Sequence, residues 1–261
     1  MHTTPIRAKD EERLVGSDRV LAVLSELARH SEGIALDDMA RAVRSPKPTT
    51  HRALASLCRA GLADRDTRGH YVLGDEFLRM AFTHHESRPE YLRVQPILDR
   101  LATFSGETVH YAVLDGTSVV YRAKVDAPTG AIRLSSTVGG RNPAHSTGVG
   151  KLLMAYALPD ADAVRTWIGD RTLERPTANT KTTADELHAE LVLIRERGYS
   201  VDDQENEAGV NCIAVPVFLA SPSIPSGAIS VSALAYRTSL QTLVHELPTI
   251  RLIVSGQPAP E

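Results

Sequence analysis

Residues 45–61 read SPKPTTHRALASLCRAG, with two prolines at one end and an apolar stripe toward the other. Proline in a helix interior removes a backbone donor and collides with the preceding turn, but the first turn has no intrahelical partners for its N–H groups and accepts it. The stretch therefore reads as a helix with Ser45 as N-cap, Pro46 at its first position and Pro48 at its third. Leu54, Leu57 and Cys58 give the buried stripe, and Gly61 stops the helix. Between Arg41 and Ala63 the charged residues are Arg41, Arg44, Lys47, Arg52 and Arg59, with no acid among them. So one-sided a run suits phosphate neutralisation, although a solvated helix face would also carry it.

Two shorter helical patterns precede this one. From Asp18, the residues Val20, Leu21, Leu24, Leu27 and Ala28 recur at helical spacing, with Ser17 as N-cap and Gly33 past the end. Leu36, Met39, Ala40 and Val43 follow, with Asp37 and Asp38 in the first turn, where the helix dipole favours them. Downstream, LADRDTRGHYVLG reads as a hairpin turning at DTRG. Three short helices and a two-stranded wing make a winged helix-turn-helix, whose third helix enters the major groove of double-stranded DNA.

The chain has 261 residues, a formal charge of -3 and 42% hydrophobic residues, which predicts a protein of two domains without a global charge bias toward nucleic acid or membrane. The opening MHTTPIRAKDEERL lacks the apolar core of a secretory signal, and no apolar run is long enough to span a bilayer, so a cytoplasmic location without membrane contact is expected. Cys58 and Cys212 form neither a disulfide framework nor a paired metal motif.

After the wing, DEFLRMAFTHHESRPEYLRV is predicted helical to about His85, broken near Arg88 and Pro89, and resumed to Gly106. His84 and His85 are adjacent and so point to different helix faces, which argues against a metal site. From Glu107 the period becomes two. ETVHYAVL and SVVYRAKV form a hairpin around Asp115-Gly116, IRLSST reads as a third strand, and NCIAVPVF and GAISVSAL as later strands. A helix over about Ala184 to Arg197 and a final helix from about Ser239 complete an α+β domain with an antiparallel sheet.

AHSTGVGKLL, residues 144–153, looks like a phosphate-binding loop, but the P-loop glycine position is His145 and the Ser/Thr position is Leu152. No nucleotide or other cofactor is predicted. Small and hydroxyl residues ahead of a helix still leave free N–H groups that bind an anion, and a small carboxylate fits such a place.

The blocks VGSDRVLAVL, PKPTTHRALASL, GHYVLGDEFL, GETVHYAVLDG, VVYRAKV, VGGRNPAHSTGVGKLLMA, RERGYSVDDQENEAGVNCIAVPVF and GAISVSAL, in this order, resemble the IclR family of bacterial transcriptional regulators from Val15 to about Ser255. The resemblance implies a ligand-responsive regulator, typically a repressor of small-molecule catabolism, that is no enzyme and assembles as a dimer or tetramer. Expected limits are a disordered tail over 1–14, the winged helix-turn-helix over 15–80, a linker helix over 81–92, and a GAF-like effector-binding and oligomerisation domain over 93–261. Two positions depart from the family pattern. Ala35 stands where the second helix usually has a Ser or Thr cap, at a cost of about 1 kcal/mol, and Pro48 replaces a serine, removing a hydroxyl and an N–H from the recognition helix.

The candidates for operator contact are Arg19, Arg44, Lys47, Thr49, Thr50, His51 and Arg52, with Arg65 and Arg68 from the wing. For the effector, taken to be a small organic acid, the family's positions fall on Gly148, Val149, Asp202, Cys212, Ser230 and Ser232, with Val210 and Ile132 as further apolar walls. Plainer readings stand beside these. Cys212 would be ordinary core, Asp202 and Asp203 would cap a turn, and Arg141 and Lys151 would be solvated surface charges. The rival functions are a ligand-blind DNA-binding oligomer and an enzyme with Cys212 as nucleophile and His110 or His145 as base, for which no neighbour in sequence lowers the thiol pKa.

Overall fold

Val23 and Leu27 from α1 (Gly16–Leu27), Met39 from α2 (Leu36–Ala42) and Ala53, Leu54 and Leu57 from α3 (Lys47–Arg59) meet in one buried cluster. Ala63 of β1 (Ala63–Arg65) and Tyr71 of β2 (Tyr71–Leu73) close it from the wing. The wing turns where the Asp66 carboxylate accepts from the N–H groups of Arg68 and His70, at 2.9 and 2.8 Å. The computed structural model describes residues 16–86, 89–127 and 134–257. The chain divides into two units, one ending at Ser87 and one beginning at Arg88. Helix α4 (Asp75–Glu86) ends the first and α5 (Pro89–Ser105) begins the second. The predicted tail, most of the break near Arg88, and Ile132 lie outside the described residues, as do the side chains of His84 and His85.

The start of α3 differs from expectation. Pro46 takes the N-cap position, Lys47 is the first helical residue, and no side chain caps the helix; Ser45 is not the cap. The Thr50 hydroxyl instead donates back to the Pro46 carbonyl at 3.3 Å and closes the first turn from within. Ala35 heads α2 without a capping bond, which leaves the dipole interaction of Asp37 and Asp38 as the favourable term there.

The second unit holds a six-stranded antiparallel sheet in the order β5-β4-β3-β8-β7-β6. Its strands are β3 (Thr108–Asp115), β4 (Ser118–Val125), β5 (Arg141–Pro143), β6 (Ser200–Asp203), β7 (Val210–Val217) and β8 (Gly227–Leu234). Alternation gives the sheet two faces. Val109, Tyr111, Ile213, Val215, Ile229 and Val231 pack against α5, α9 (Leu240–His245) and α10 (Leu247–Val254). Ala112, Ala214 and Ala228, all small, lie under α6 (Gly148–Ala157), with α7 (Ala161–Ile168) and α8 (Ala184–Arg197) beyond it. Small residues there let α6 approach the sheet closely.

Thr183 and Glu186 form a capping box at the start of α8, and Gly198 ends it in the left-handed conformation. Three readings are corrected. Ser17 is the second residue of α1 and does not cap it. IRLSST supplies no strand over its described part, and Arg141–Pro143 pairs with β4 instead. The final helix is two, because Pro248 cannot donate from a helix interior and a new helix restarts just ahead of it. Strand β6 and helix α7 were not anticipated. Among the described residues no helix is long and apolar enough to cross a membrane, and none of their His, Cys, Asp and Glu side chains gather in threes around a metal position.

Candidate functional site

On the first unit, the exposed side of α3 presents Lys47, His51 and Arg52 to solvent, with Thr49 half-buried beside them. Arg19 of α1 joins Thr49, Arg52 and Ser56 around a surface groove, and Arg44 is exposed on the turn that leads into α3. Thr50 does not belong to this surface. It is fully buried, and its hydroxyl is committed to the helix backbone. In the wing, the Arg65 guanidinium lies 5.1 Å over the Tyr71 ring and donates to the Gly69 carbonyl, while Arg68 bonds Asp66 at 3.0 Å and the Glu32 carbonyl at 2.7 Å.

The basic run is less one-sided in space than in sequence. Lys47 Nζ lies 2.6 Å from Asp37 Oδ1, and Arg41 pairs with Asp38, so both carboxylates of the α2 first turn face cations of the run. A count begun at Arg41 leaves out both acids, which lie three and four residues ahead of it on the same helix.

On the second unit, the register of the sheet brings distant residues into two rows. Asp202, Cys212 and Ser232 stand side by side across β6, β7 and β8, and the next row includes Ala214, Ser230 and His110. The start of α6 lies over these rows, where a side chain built on Gly148 would touch Asp202 Cβ at 3.6 Å and Ala214 Cβ at 3.7 Å. Between helix and sheet is a cavity with about 40 Å³ of room for the centre of a water-sized sphere. One water needs roughly 10–15 Å³ on that measure, so the space suits a molecule of a few heavy atoms. Gly148, Val149, Asp202, Cys212, Ser230 and Ser232 all line it, with Val210.

Thr147 caps α6 by accepting from the Gly150 N–H at 3.1 Å. The first-turn N–H groups of Gly148 and Val149 carry the positive end of the helix dipole beside the cavity. Gly150 makes this possible, since a side chain there would meet the Ala144 carbonyl oxygen at 2.1 Å.

Asp202 does cap a turn: its Oδ1 accepts from the N–H groups of Glu205 and Asn206, at 2.7 and 3.3 Å. Burial pushes its pKa up to about 7, a rise that the Lys151 ammonium and the two N–H bonds oppose. Lys151, the residue that gave the loop its P-loop appearance, is no surface charge. It is completely buried and paired with Glu205, whose other oxygen lies 3.2 Å from Lys181 Nζ. Burial lowers the ammonium's pKa, and the Glu205 carboxylate beside it opposes the fall. Arg141 is the solvated charge expected, paired with Asp115.

His110, the candidate base of the enzyme reading, lines the cavity. Its Nε2 lies 2.7 Å from Ser136 Oγ and its Nδ1 3.4 Å from Ser232 Oγ. Burial and the nearby Lys124 ammonium push its pKa down to about 3, so the ring is neutral. Tyr121, its ring 4.9 Å from that of His110, receives a bond from Asn142 at 3.2 Å. A polar residue on the inward phase of a strand, between Thr108 and Ala112, was the available signal for His110. Asn142, Asn206 and Glu207, which also line the cavity, had none. His145 lies elsewhere, bonded to the Glu174 carbonyl. Cys212 is half-buried against the cavity, and burial and Asp202 push its thiol pKa up.

Comparison with known proteins places this geometry in a family. Residues 17–67 match the IclR helix-turn-helix domain, and residues 91–253 match the bacterial transcriptional regulator IclR C-terminal domain. The chain is 33% identical to the HTH-type transcriptional regulator BhcR of Paracoccus denitrificans over 89% of its length and 82% of that protein's. It is 31% identical to the transcriptional repressor IclR of Escherichia coli over 82% of its length and 78% of that protein's. A crystal structure from Rhodococcus sp. RHA1, described as a transcriptional regulator, superposes with a TM-score of 0.80 at 29% identity, covering 91% of this chain and 94% of that one. The chain belongs to the IclR family of bacterial transcriptional regulators.

Proposed function

We propose that this protein is a repressor of a small-molecule catabolic operon, whose affinity for operator DNA changes when a small organic acid occupies the cavity beside α6. The observation that carries the reading is the cavity itself. Six residues from a helix start and three strands, distant in sequence, converge on a space of small-molecule size lined by the first-turn N–H groups of α6 and the hydroxyls of β8. DNA is bound through Lys47, Thr49, His51 and Arg52 of α3, with Arg19, Arg44 and the wing arginines positioning the phosphates. The operator is a pseudo-palindrome read by a dimer or tetramer, its half-site spacing set by the symmetry of the assembly.

Two features weigh against a cysteine enzyme. A nucleophilic thiol needs its pKa lowered, and Cys212 has the reverse; of its neighbours across the strands, Ser232 carries no charge and Asp202 is a carboxylate that raises the thiol pKa further. The test is a mobility-shift titration of the full chain on DNA upstream of its own gene at fixed salt, with acetate, propionate, malonate and benzoate as probes. A dissociation constant below about 100 nM, changed by one of the acids, is expected. Binding equal to that of random DNA, indifferent to every acid, overturns the reading.

A further inference from the structure

We propose that the cavity takes a monoanionic acid together with one proton, and that the proton resides on Asp202. The inference rests on the reading of the cavity as an acid site and adds the ligand's charge class and its linkage to pH. Among the described residues lining the cavity there is no lysine or arginine; the charged ones are Asp202 and Glu207, and His110 is neutral. The anion's attraction is therefore limited to the N–H groups at the start of α6 and to hydroxyl donors. Among the described lining residues, no cation would meet a second negative charge on the ligand.

Asp202 stands where that anion would lie. Its Cβ is within van der Waals distance of a side chain built on Gly148, whose N–H is one of the donors. The groups facing Asp202 are Lys151 from α6, Glu205 and Glu207 from the loop after β6, and Cys212 from β7. Across the cavity is His110 on β3, with Lys124 and Asp126 behind it. Of the ammonium groups around it, Lys151 and Lys181 share the Glu205 carboxylate and Lys124 is paired with Asp126, and none of the three lies on the cavity lining to meet the ligand. Two carboxylates sharing a poorly solvated site cannot both stay ionised, so the incoming anion draws a proton from water onto the protein. Both N–H bonds to Asp202 end on Oδ1, so a proton on Oδ2 disturbs neither. The pKa of this carboxyl, raised to about 7 by burial, makes the uptake inexpensive near neutrality.

The experiment is calorimetric titration of the full chain with propionate and malonate, acids of equal carbon number, between pH 6 and 8.5, in buffers of different ionisation enthalpy. Both acids carry constant charge through most of this range, so a pH dependence reports on the protein. The expected result is uptake of close to one proton per propionate at pH 8, affinity falling about tenfold per pH unit above pH 7.5, and malonate at least tenfold weaker. In Asp202→Asn, whose amide oxygen can still accept from Glu205 and Asn206, propionate affinity should be independent of pH. Propionate binding without proton uptake, or malonate binding as well as propionate, overturns the inference and leaves the acid site standing. An Asp202→Asn protein that keeps the wild-type slope places the proton elsewhere. If neither acid, nor acetate or benzoate, binds at millimolar concentration, the acid reading of the cavity falls and this inference with it. The buffer dependence needs only the wild-type chain, so a variant that fails to fold leaves the test intact.

Discussion

Lys47 Nζ lies 2.6 Å from Asp37 Oδ1, with both side chains exposed, so a residue expected to meet DNA phosphate already has an acidic partner. An exposed pair of this kind is worth at most about 1 kcal/mol. Operator binding must break the pair or share it. Asp37→Asn is expected to tighten operator binding two- to fivefold at low salt, with the gain shrinking as salt rises. A mobility-shift titration of Asp37→Asn and of Asp37→Asn/Lys47→Met checks this; the gain must vanish in the double variant.

Thr50 and Arg52 are two residues apart and have opposite fates, one buried with its hydroxyl on Pro46 and one exposed. Arg52→Ala should weaken operator binding at least tenfold and lower the salt slope by about one if it contacts phosphate. Thr50→Val should leave operator affinity within twofold while costing about 1 kcal/mol of stability, because only an intramolecular bond is lost. Denaturant melts and binding isotherms of the two variants separate the roles.

Gly148 and Gly150 differ in what a methyl group meets. At Gly150 it would collide with the Ala144 carbonyl at 2.1 Å, whereas at Gly148 it would find ordinary contact at 3.6 Å beside the cavity. Gly150→Ala is therefore expected to destabilise the second unit by more than about 3 kcal/mol or to abolish soluble expression. Gly148→Ala should fold with a melting temperature within about 3 °C of wild type and lose at least tenfold in acid response. Thermal melts and acid titrations distinguish them.

Lys151 and Glu205 form a buried pair that fastens the loop after β6 to the underside of α6. Removing one partner from such a pair leaves an uncompensated charge, at about 3–5 kcal/mol. Lys151→Met should show a loss of that size in urea, and Lys151→Met/Glu205→Leu should recover most of it, since replacing both charges with apolar groups restores neutrality. A double variant no more stable than the single would mean that Lys181 and the loop geometry need Glu205 as an ion.

The helical order of the first unit could be read directly, because α1, α2 and α3 are amphipathic; the caps were less legible, since Ser17 lies inside α1 and the cap of α3 falls on Pro46, one residue after Ser45. The strands β3, β4, β7 and β8 were legible from their period of two. Strand β6 was not: SVDD is four residues long with two acids, and it is a strand only because β7 pairs with it. Of the residues that the family resemblance assigned to the effector, Gly148, Val149, Asp202, Val210, Cys212, Ser230 and Ser232 line the cavity, and Ile132 lies outside the described residues. His110, Ser136 and Asn142 come from other segments, brought there by sheet register. The burial of Lys151 was equally hidden, since its partner lies 54 positions away.

His110 and Asp202, both buried against one cavity, should give folding stability opposite dependences on pH. The His110 pKa falls from an ordinary 6.5 to about 3 on folding, so between these values the unfolded chain binds the extra proton, and stability rises with pH up to about 6.5. The Asp202 pKa rises from 3.8 to about 7, so between those values the native state binds the extra proton, and stability falls as pH rises. Each contributes a slope of up to about 1.4 kcal/mol per pH unit, and from about pH 4 to 6.5 the two nearly cancel. Single variants expose each in turn. His110→Asn should make the protein relatively more stable toward pH 4.5 than toward pH 6.5, while Asp202→Asn should do the reverse, each compared with wild type in urea melts across that range. If the difference between wild type and either variant is flat with pH, that residue titrates alike in the folded and unfolded chains, and its burial does not govern its charge.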